Sequence, residues 1–209
     1  MLTNDQIESL APKMNIPLEF CGFKDMLPKK LKPNKYYCVN LEDGVGDDGE
    51  ANEGTHWVGF QCRVPNNGHK SCVYFDSYGV GPPKVVTKLI KANFGVNPWH
   101  PTKDVQSLVN EACGFYQLAW AHYVNDKRFA SSSLKKDTEE FLSPFEDLKT
   151  SLDYKKNEWI LKHFFLSKED PKTVPLPKEL LGTIKSDEQE PGEETDGGLF
   201  SLGRYEGEK

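Results

Sequence analysis

Four side chains in this sequence could together cut an acyl bond: His56, Asp76, Gln106 and Cys113. Thiol attack on a carbonyl needs a thiolate, a base to hold its proton, a third group to orient that base, and donors for the oxyanion that forms. Cys113 opens a helix-like run, where the positive end of the helix dipole favours a thiolate, and His56 is the base beside it. Asp76 would orient the imidazole. The Gln106 side-chain amide, seven residues before Cys113, would join the Cys113 N–H as an oxyanion donor. Gly114 lets a peptide backbone approach closely. Taken singly, each residue has a plainer role, since a cysteine at a helix start is more often structural and a strand-end histidine more often polar surface. The order and placement of the whole set carry the argument.

These residues need elements to hold them. Trp57–Val64 and Cys72–Ser77 read as two strands joined by the turn cluster Pro65–Ser71, which predicts a β-hairpin. With Asn67-Gly68 at the tip, His56 faces about Gly79, and Asp76 lies within diagonal reach. The same register puts Cys62 and Cys72 close to cross-strand partners, which are expected to stay reduced. Upstream, Thr3 at an N-cap, Gln6 three residues on, and Leu2 with Ile7 as a staple predict a helix over 4–11 that stops near Pro12. Residues between there and Pro33 read as irregular, and Lys35–Leu41 as a buried strand. Glu42–Glu53 holds six acids and three glycines and reads as a loop, either a solvated connection or a lip over a groove. Residues 83–94 carry apolar positions at helical spacing, 98–105 suggest a strand, and Cys113–Val124 is apolar on nearly every face, as in a buried helix. Helical segments at 138–142, 145–152 and 154–166 complete the expectation.

Composition narrows the function classes. The chain has 209 residues, 37% hydrophobic and 28% charged, with 12 Phe, 8 Tyr and 4 Trp, enough apolar surface for a core. No stretch has the roughly 20 apolar residues of a membrane span, and the first residues lack the pattern of a secretory signal, so a membrane or exported protein is not expected. The net charge of −6 is uneven: residues 182–209 carry −5 and residues 1–181 only −1. The first 181 residues read as one domain, with a catalytic core over about 35–166, and 182–209 as an acidic, Gly-rich disordered tail. A near-neutral body disfavours nucleic acid as a partner, although a local patch would suffice for an activator. Five cysteines, at 21, 38, 62, 72 and 113, cannot all pair and form no CxxC, which fits a reducing compartment and no thiolate zinc site. His100 and His122 lack partners at ligand spacing. Asp47-Asp48-Gly49-Glu50 is no EF-hand loop, and Gly79-Val80-Gly81 is no phosphate loop. No metal or other cofactor is called for.

The ordered set GTHWVGF, VYFDSYG, Gln106 and EACGFYQLAW resembles the adenain-like cysteine proteases, the superfamily of the adenovirus proteinase and the SUMO- and ubiquitin-like-protein-specific proteases. The order there is His, Asp or Glu, Gln, then Cys, with Trp after the His and Gly after the Cys. The matching positions here are His56, Trp57, Asp76, Gln106, Cys113 and Gly114, within residues 54–124. The best likeness is to proteases of virophages and Polinton/Maverick-type elements, which also begin with a short helix and close on an Asn-containing helix like NEWILKHFF. Asp76 follows the ubiquitin-like-protein branch, where the adenovirus enzyme has Glu. Ala112-Cys113-Gly114 follows the viral form.

The resemblance implies an α+β fold of the papain-like, adenain-like kind, with a mixed central sheet packed on the Cys113 helix and flanked by further helices. It implies a cysteine endopeptidase, a monomer, that processes capsid and other virion proteins during maturation, after small residues such as Gly-Gly. The setting implied is the viral factory of the host cytoplasm and the virion. Gly197-Gly198 before Leu199 is a conceivable self-cleavage point in the tail. Two alternatives stand beside this reading: a deconjugase for SUMO-type proteins, and a catalytically idle binding module of the same fold.

Overall fold

The computed structural model describes residues 1–65, 70–149, 151–167, 170, 172, 175–177 and 180. The expected tail at 182–209 and the hairpin tip at Asn67-Gly68 lie outside the described residues. The chain runs α1 (Asn4–Lys13), β1 (Leu18–Phe23), β2 (Tyr36–Asn40), β3 (Trp57–Arg63), β4 (Ser71–Phe75), α2 (Lys84–Phe94), α3 (Cys113–Asn125), α4 (Leu134–Leu142) and α5 (Ser151–Ser167). It is an α+β fold on a mixed four-stranded sheet of order β1-β2-β3-β4, with β1 parallel to β2 and the other pairs antiparallel. No described helix is long and apolar enough to cross a membrane.

Period-two alternation along the strands builds two cores. Tyr36, Cys38, Trp57, Val73 and Phe75 face one layer, which holds α1, α3, α4 and α5. Tyr37, Val39, Val58, Phe60 and Tyr74 face the other, which is closed by Val86, Ile90 and Phe94 of α2. With helices on both faces, β2 is buried along its whole length. α3 is also buried along nearly its whole length, as its apolar sequence requires. Gly59 sets how closely α3 approaches the sheet. A Cβ there would stand 2.5 Å from Gln117 Oε1 and 2.6 Å from the Tyr36 ring, so only glycine admits the Gln117 side chain, which donates to Phe75 O at 3.2 Å.

The Thr3 capping box forms as expected, with Thr3 Oγ1 accepting from Gln6 N at 3.3 Å and Gln6 Oε1 accepting from Thr3 N at 2.9 Å. α1 continues to Lys13, because Pro12 in a last turn removes only one donor. Four expectations are corrected. Residues 18–23 form a strand, because the parallel partner that satisfies them, β2, lies outside the local window. The expected strand at 98–105 reduces to one bridge, Val73 to Trp99, because Pro98 and Pro101 lack the N–H groups a ladder uses. Residues 145–149 are not helical. They dock on the chain before Gln106 instead, with Leu148 N donating to Asp104 O at 2.9 Å and Asp104 N to Asp147 Oδ1 at 3.0 Å. α4 starts four residues earlier than expected, where the Ser133 side chain accepts from Lys136 N at 3.3 Å.

The hairpin is present, and its pairing is offset by one residue from the expected register, with Cys62 directly opposite Cys72. Their Cα atoms are 4.0 Å apart and the sulfurs are bonded, where two reduced thiols were expected. The chain puts the two side chains on the same face at one rung, so the neighbour relation follows from the register alone. Cys21, Cys38 and Cys113 are free thiols.

Candidate active site

His56 immediately precedes β3 and Asp76 immediately follows β4, so the ladder brings them to one end of the hairpin. His56 Nε2 and Asp76 Oδ1 are 2.8 Å apart. Asp76 is buried, and the same oxygen accepts from Tyr78 N at 2.9 Å, which fixes the carboxylate and through it the imidazole. The one-residue offset of the pairing brings Tyr78, rather than Gly79, to His56. Their rings stack with centroids 4.5 Å apart at 26°.

His56 Nδ1 is buried and makes no hydrogen bond of ordinary geometry. The imidazole also interacts with the Cys113 side chain. Burial lowers the imidazole pKa, but the hydrogen bond to Asp76, the interaction with Cys113 and the charges of both outweigh it and push the value up to about 9. The ring therefore favours its protonated form at neutral pH, where it can give a proton from between the Asp76 carboxylate and the Cys113 sulfur.

Cys113 is the first residue of α3, and Ala112 at the N-cap provides no side-chain cap. The Cys113 N–H at this helix start receives no cap from the Ala112 side chain. Gly114 has a different neighbour from the one expected. A Cβ there would meet Leu2 at 3.0–3.3 Å, so the close approach it permits is that of the buried Leu2 side chain. Trp57 is buried and donates from Nε1 to Leu2 O at 2.8 Å, which ties both supporting residues to the N-terminal segment. The Met1 amino group pairs with Glu111, two residues before Cys113.

Gln106 is buried and tightly held. Its Oε1 accepts from Ser77 Oγ at 2.7 Å, while Nε2 donates to Asn110 O at 2.9 Å and to Tyr78 Oη at 3.2 Å. Ser77 O also accepts from Val105 N and Gln106 N, at 2.9 and 3.2 Å, so the residue after Asp76 carries Gln106.

Several supports were not legible from spacing. Asn157 of α5 is fully buried. Its Nδ2 donates to Val105 O at 3.1 Å and to Glu146 O at 2.8 Å, and its Oδ1 accepts from Glu146 N at 2.7 Å. Glu158 accepts from Asn110 Nδ2, and burial raises its carboxyl pKa. Asn110 Oδ1 accepts from Ala112 N at 3.2 Å. Asn157-Glu158 follow Lys155-Lys156 in a polar stretch before Trp159, so spacing gave no sign that the pair is buried and therefore partnered.

A cavity of about 300 Å³ lies elsewhere, at the far end of α3, lined by Asn15, His122, Asn125, Asp126 and Lys127. Among the described residues, no cysteine, serine or threonine lines it. His122 is a buried helix histidine whose Nδ1 contacts Met14 O at 2.6 Å.

No protein-family model matches the sequence, and a search of curated proteins returns no significant match.

Proposed function

We propose that the chain is a cysteine endopeptidase of the papain-like, adenain-like kind. The observation that carries this reading is the His56 imidazole, with Nε2 2.8 Å from Asp76 and the ring interacting with Cys113, the first residue of a helix. In the reaction, Cys113 Sγ attacks the scissile carbonyl carbon as the thiolate whose proton His56 holds, and the π electrons move to oxygen, which accepts from the Cys113 N–H and Gln106. His56 gives its proton to the leaving amine, the carbonyl re-forms as a thioester, and water activated by His56 releases the acid. Asp76 holds the ring and stabilises its charge. No cofactor enters.

The substrate class rests on resemblance: capsid and other virion polypeptides cut after small residues such as Gly-Gly. Trp57 and Gly114 serve this site by seating Leu2 behind it. The test is labelling of wild-type protein and its Cys113→Ala variant by a peptide vinyl sulfone, with cleavage of Gly-Gly peptides followed by mass spectrometry. Labelling at Cys113 together with peptide cleavage is the expected result. An unlabelled wild type would mean an idle scaffold. Preferential cleavage of SUMO or ubiquitin fusions over capsid polypeptides would move the substrate to deconjugation.

A further inference from the structure

Tyr78 has a place in the site that the mechanism above leaves unused. Its N–H donates to the Asp76 oxygen that His56 also takes, and its ring lies on the imidazole. Its hydroxyl accepts from Gln106 Nε2 at 3.2 Å. That bond is the longest of the three the Gln106 side chain makes. The other two, to Asn110 O and from Ser77 Oγ, tie the amide to the surrounding chain. The hydrogen that Gln106 would offer an oxyanion is therefore the one now resting on Tyr78 Oη. The phenol uses a lone pair to accept it, and among the described residues its own hydrogen goes to no acceptor. Tyr78 is half-buried. Burial, then the nearby Cys113, Asp76 and Asp104, push its pKa up to about 12, so it keeps its proton.

Resting on the protease reading, we infer that Tyr78 is a catalytic donor of the oxyanion site, a third one beside Gln106 and the Cys113 N–H. As Cys113 Sγ bonds to the carbonyl carbon, the oxygen gains the π electron pair. Gln106 then turns its hydrogen from the phenol to that oxygen, and the phenol O–H donates to it as well. Tyr78 transfers no proton. When the carbonyl re-forms and the amine leaves with the His56 proton, the Gln106 to Tyr78 bond is restored.

The test uses the full chain and its Tyr78→Phe variant, which keeps the stacked ring and removes only the hydroxyl. Three readouts separate a donor from a structural residue: kcat and KM on a cleaved peptide, inhibition by the matching peptide aldehyde, and the rate of Cys113 alkylation by iodoacetamide. The aldehyde adduct carries the tetrahedral oxygen, and alkylation forms none. The expected result is a kcat lower by about 10²-fold with KM unchanged, aldehyde inhibition weakened by a similar factor, and an unaltered alkylation rate. Wild-type kcat in Tyr78→Phe would overturn the assignment. So would a faster variant, in which the hydroxyl merely blocks Gln106, or a parallel fall in alkylation, which would place the residue behind the His56–Cys113 pair. If wild type neither cleaves peptide nor alkylates faster than His56→Ala, the protease reading and this assignment fail together. The preceding outcomes remove Tyr78 alone.

Discussion

His56 and Asp76 lie at one end of a single hairpin, 20 residues apart, and adjacent strands bring them together. Gln106 and Cys113 lie on a segment held from three places, the chain after β4, α5 and the N-terminal residues. Ser77 and Tyr78 grip Gln106, Asn157 grips Val105, Glu158 grips Asn110, and Leu2 lies against Gly114. The proposed base and its orienter are thus set by local pairing, while the segment of the proposed nucleophile and oxyanion donor is set in several cases by contacts over 40 residues or more. Substitutions far from the hairpin should then act on the second half of the site and leave the His56–Asp76 pair intact.

The largest effect tests the joint between the halves. Cys113→Ala and His56→Ala should each lower proteolysis by about 10⁴-fold or more, because the two act as one unit, with circular dichroism and melting temperature near wild type. Comparable cleavage by wild type and Cys113→Ala would break the comparison at its root.

Removing the orienter tests the local half by itself. Asp76→Ala should cost about 10³–10⁴-fold in kcat. Wild-type kcat/KM should fall on the alkaline side near pH 9, where the imidazolium loses its proton. Because Asp76 raises that value, the limb should move to lower pH in the variant, and an unmoved limb would deny Asp76 its role. Stability should follow the same sign. A histidine whose pKa rises on folding contributes fully below its unfolded value of about 6.5. Its contribution is lost as pH climbs through about 9, so chemical denaturation of wild type relative to His56→Ala should show a declining difference across that window.

Gln106→Ala should reduce kcat by about 10²–10³-fold, since other donors remain. The alkaline limb should stay in place, which separates the oxyanion half from the base. An altered limb would mean that the halves are not independent.

A smaller effect is expected at Asn157, which touches neither the thiol nor the imidazole. Asn157→Leu takes one of two donors from Val105 O, which keeps Tyr116 Oη at 2.9 Å, removes the Asn157 bonds of the Glu146 backbone, and should cost about 1–3 kcal/mol in urea unfolding. It should lower kcat several-fold through Gln106 with KM and the pH profile unchanged. Full activity at reduced stability would show that α5 holds the fold without holding the site.

The smallest effect on activity is expected at Cys62 and Cys72. Their bond joins strands whose register is already fixed by pairing. The double Cys→Ser variant should lose about 2–3 kcal/mol of stability from the loop it no longer closes, and should keep peptide cleavage within a factor of about two. A large loss of activity would mean that the hairpin needs the cross-link to bring His56 to Asp76.

Much of this was readable because it is local. The Thr3 box, the two strands of the hairpin, the α2 stripe of Val86, Ile90 and Phe94, and the burial of α3 follow from side-chain period and capping chemistry within a few residues. The residue types at 56 and 76 pointed to a histidine–carboxylate pair before any geometry was known, and the structure puts the two 2.8 Å apart. What stayed hidden depends on partners far along the chain. The strand at 18–23 exists because β2 is beside it, and the segment at 98–105 is not a strand because its prolines cannot complete a ladder. The one-residue register that puts Tyr78 on His56 is set by the whole pairing of β3 with β4, which a turn motif alone does not specify. Gly114 illustrates the division. Its identity pointed to a close approach, a property of the missing side chain, but only the tertiary structure decided that the approaching atoms are those of Leu2.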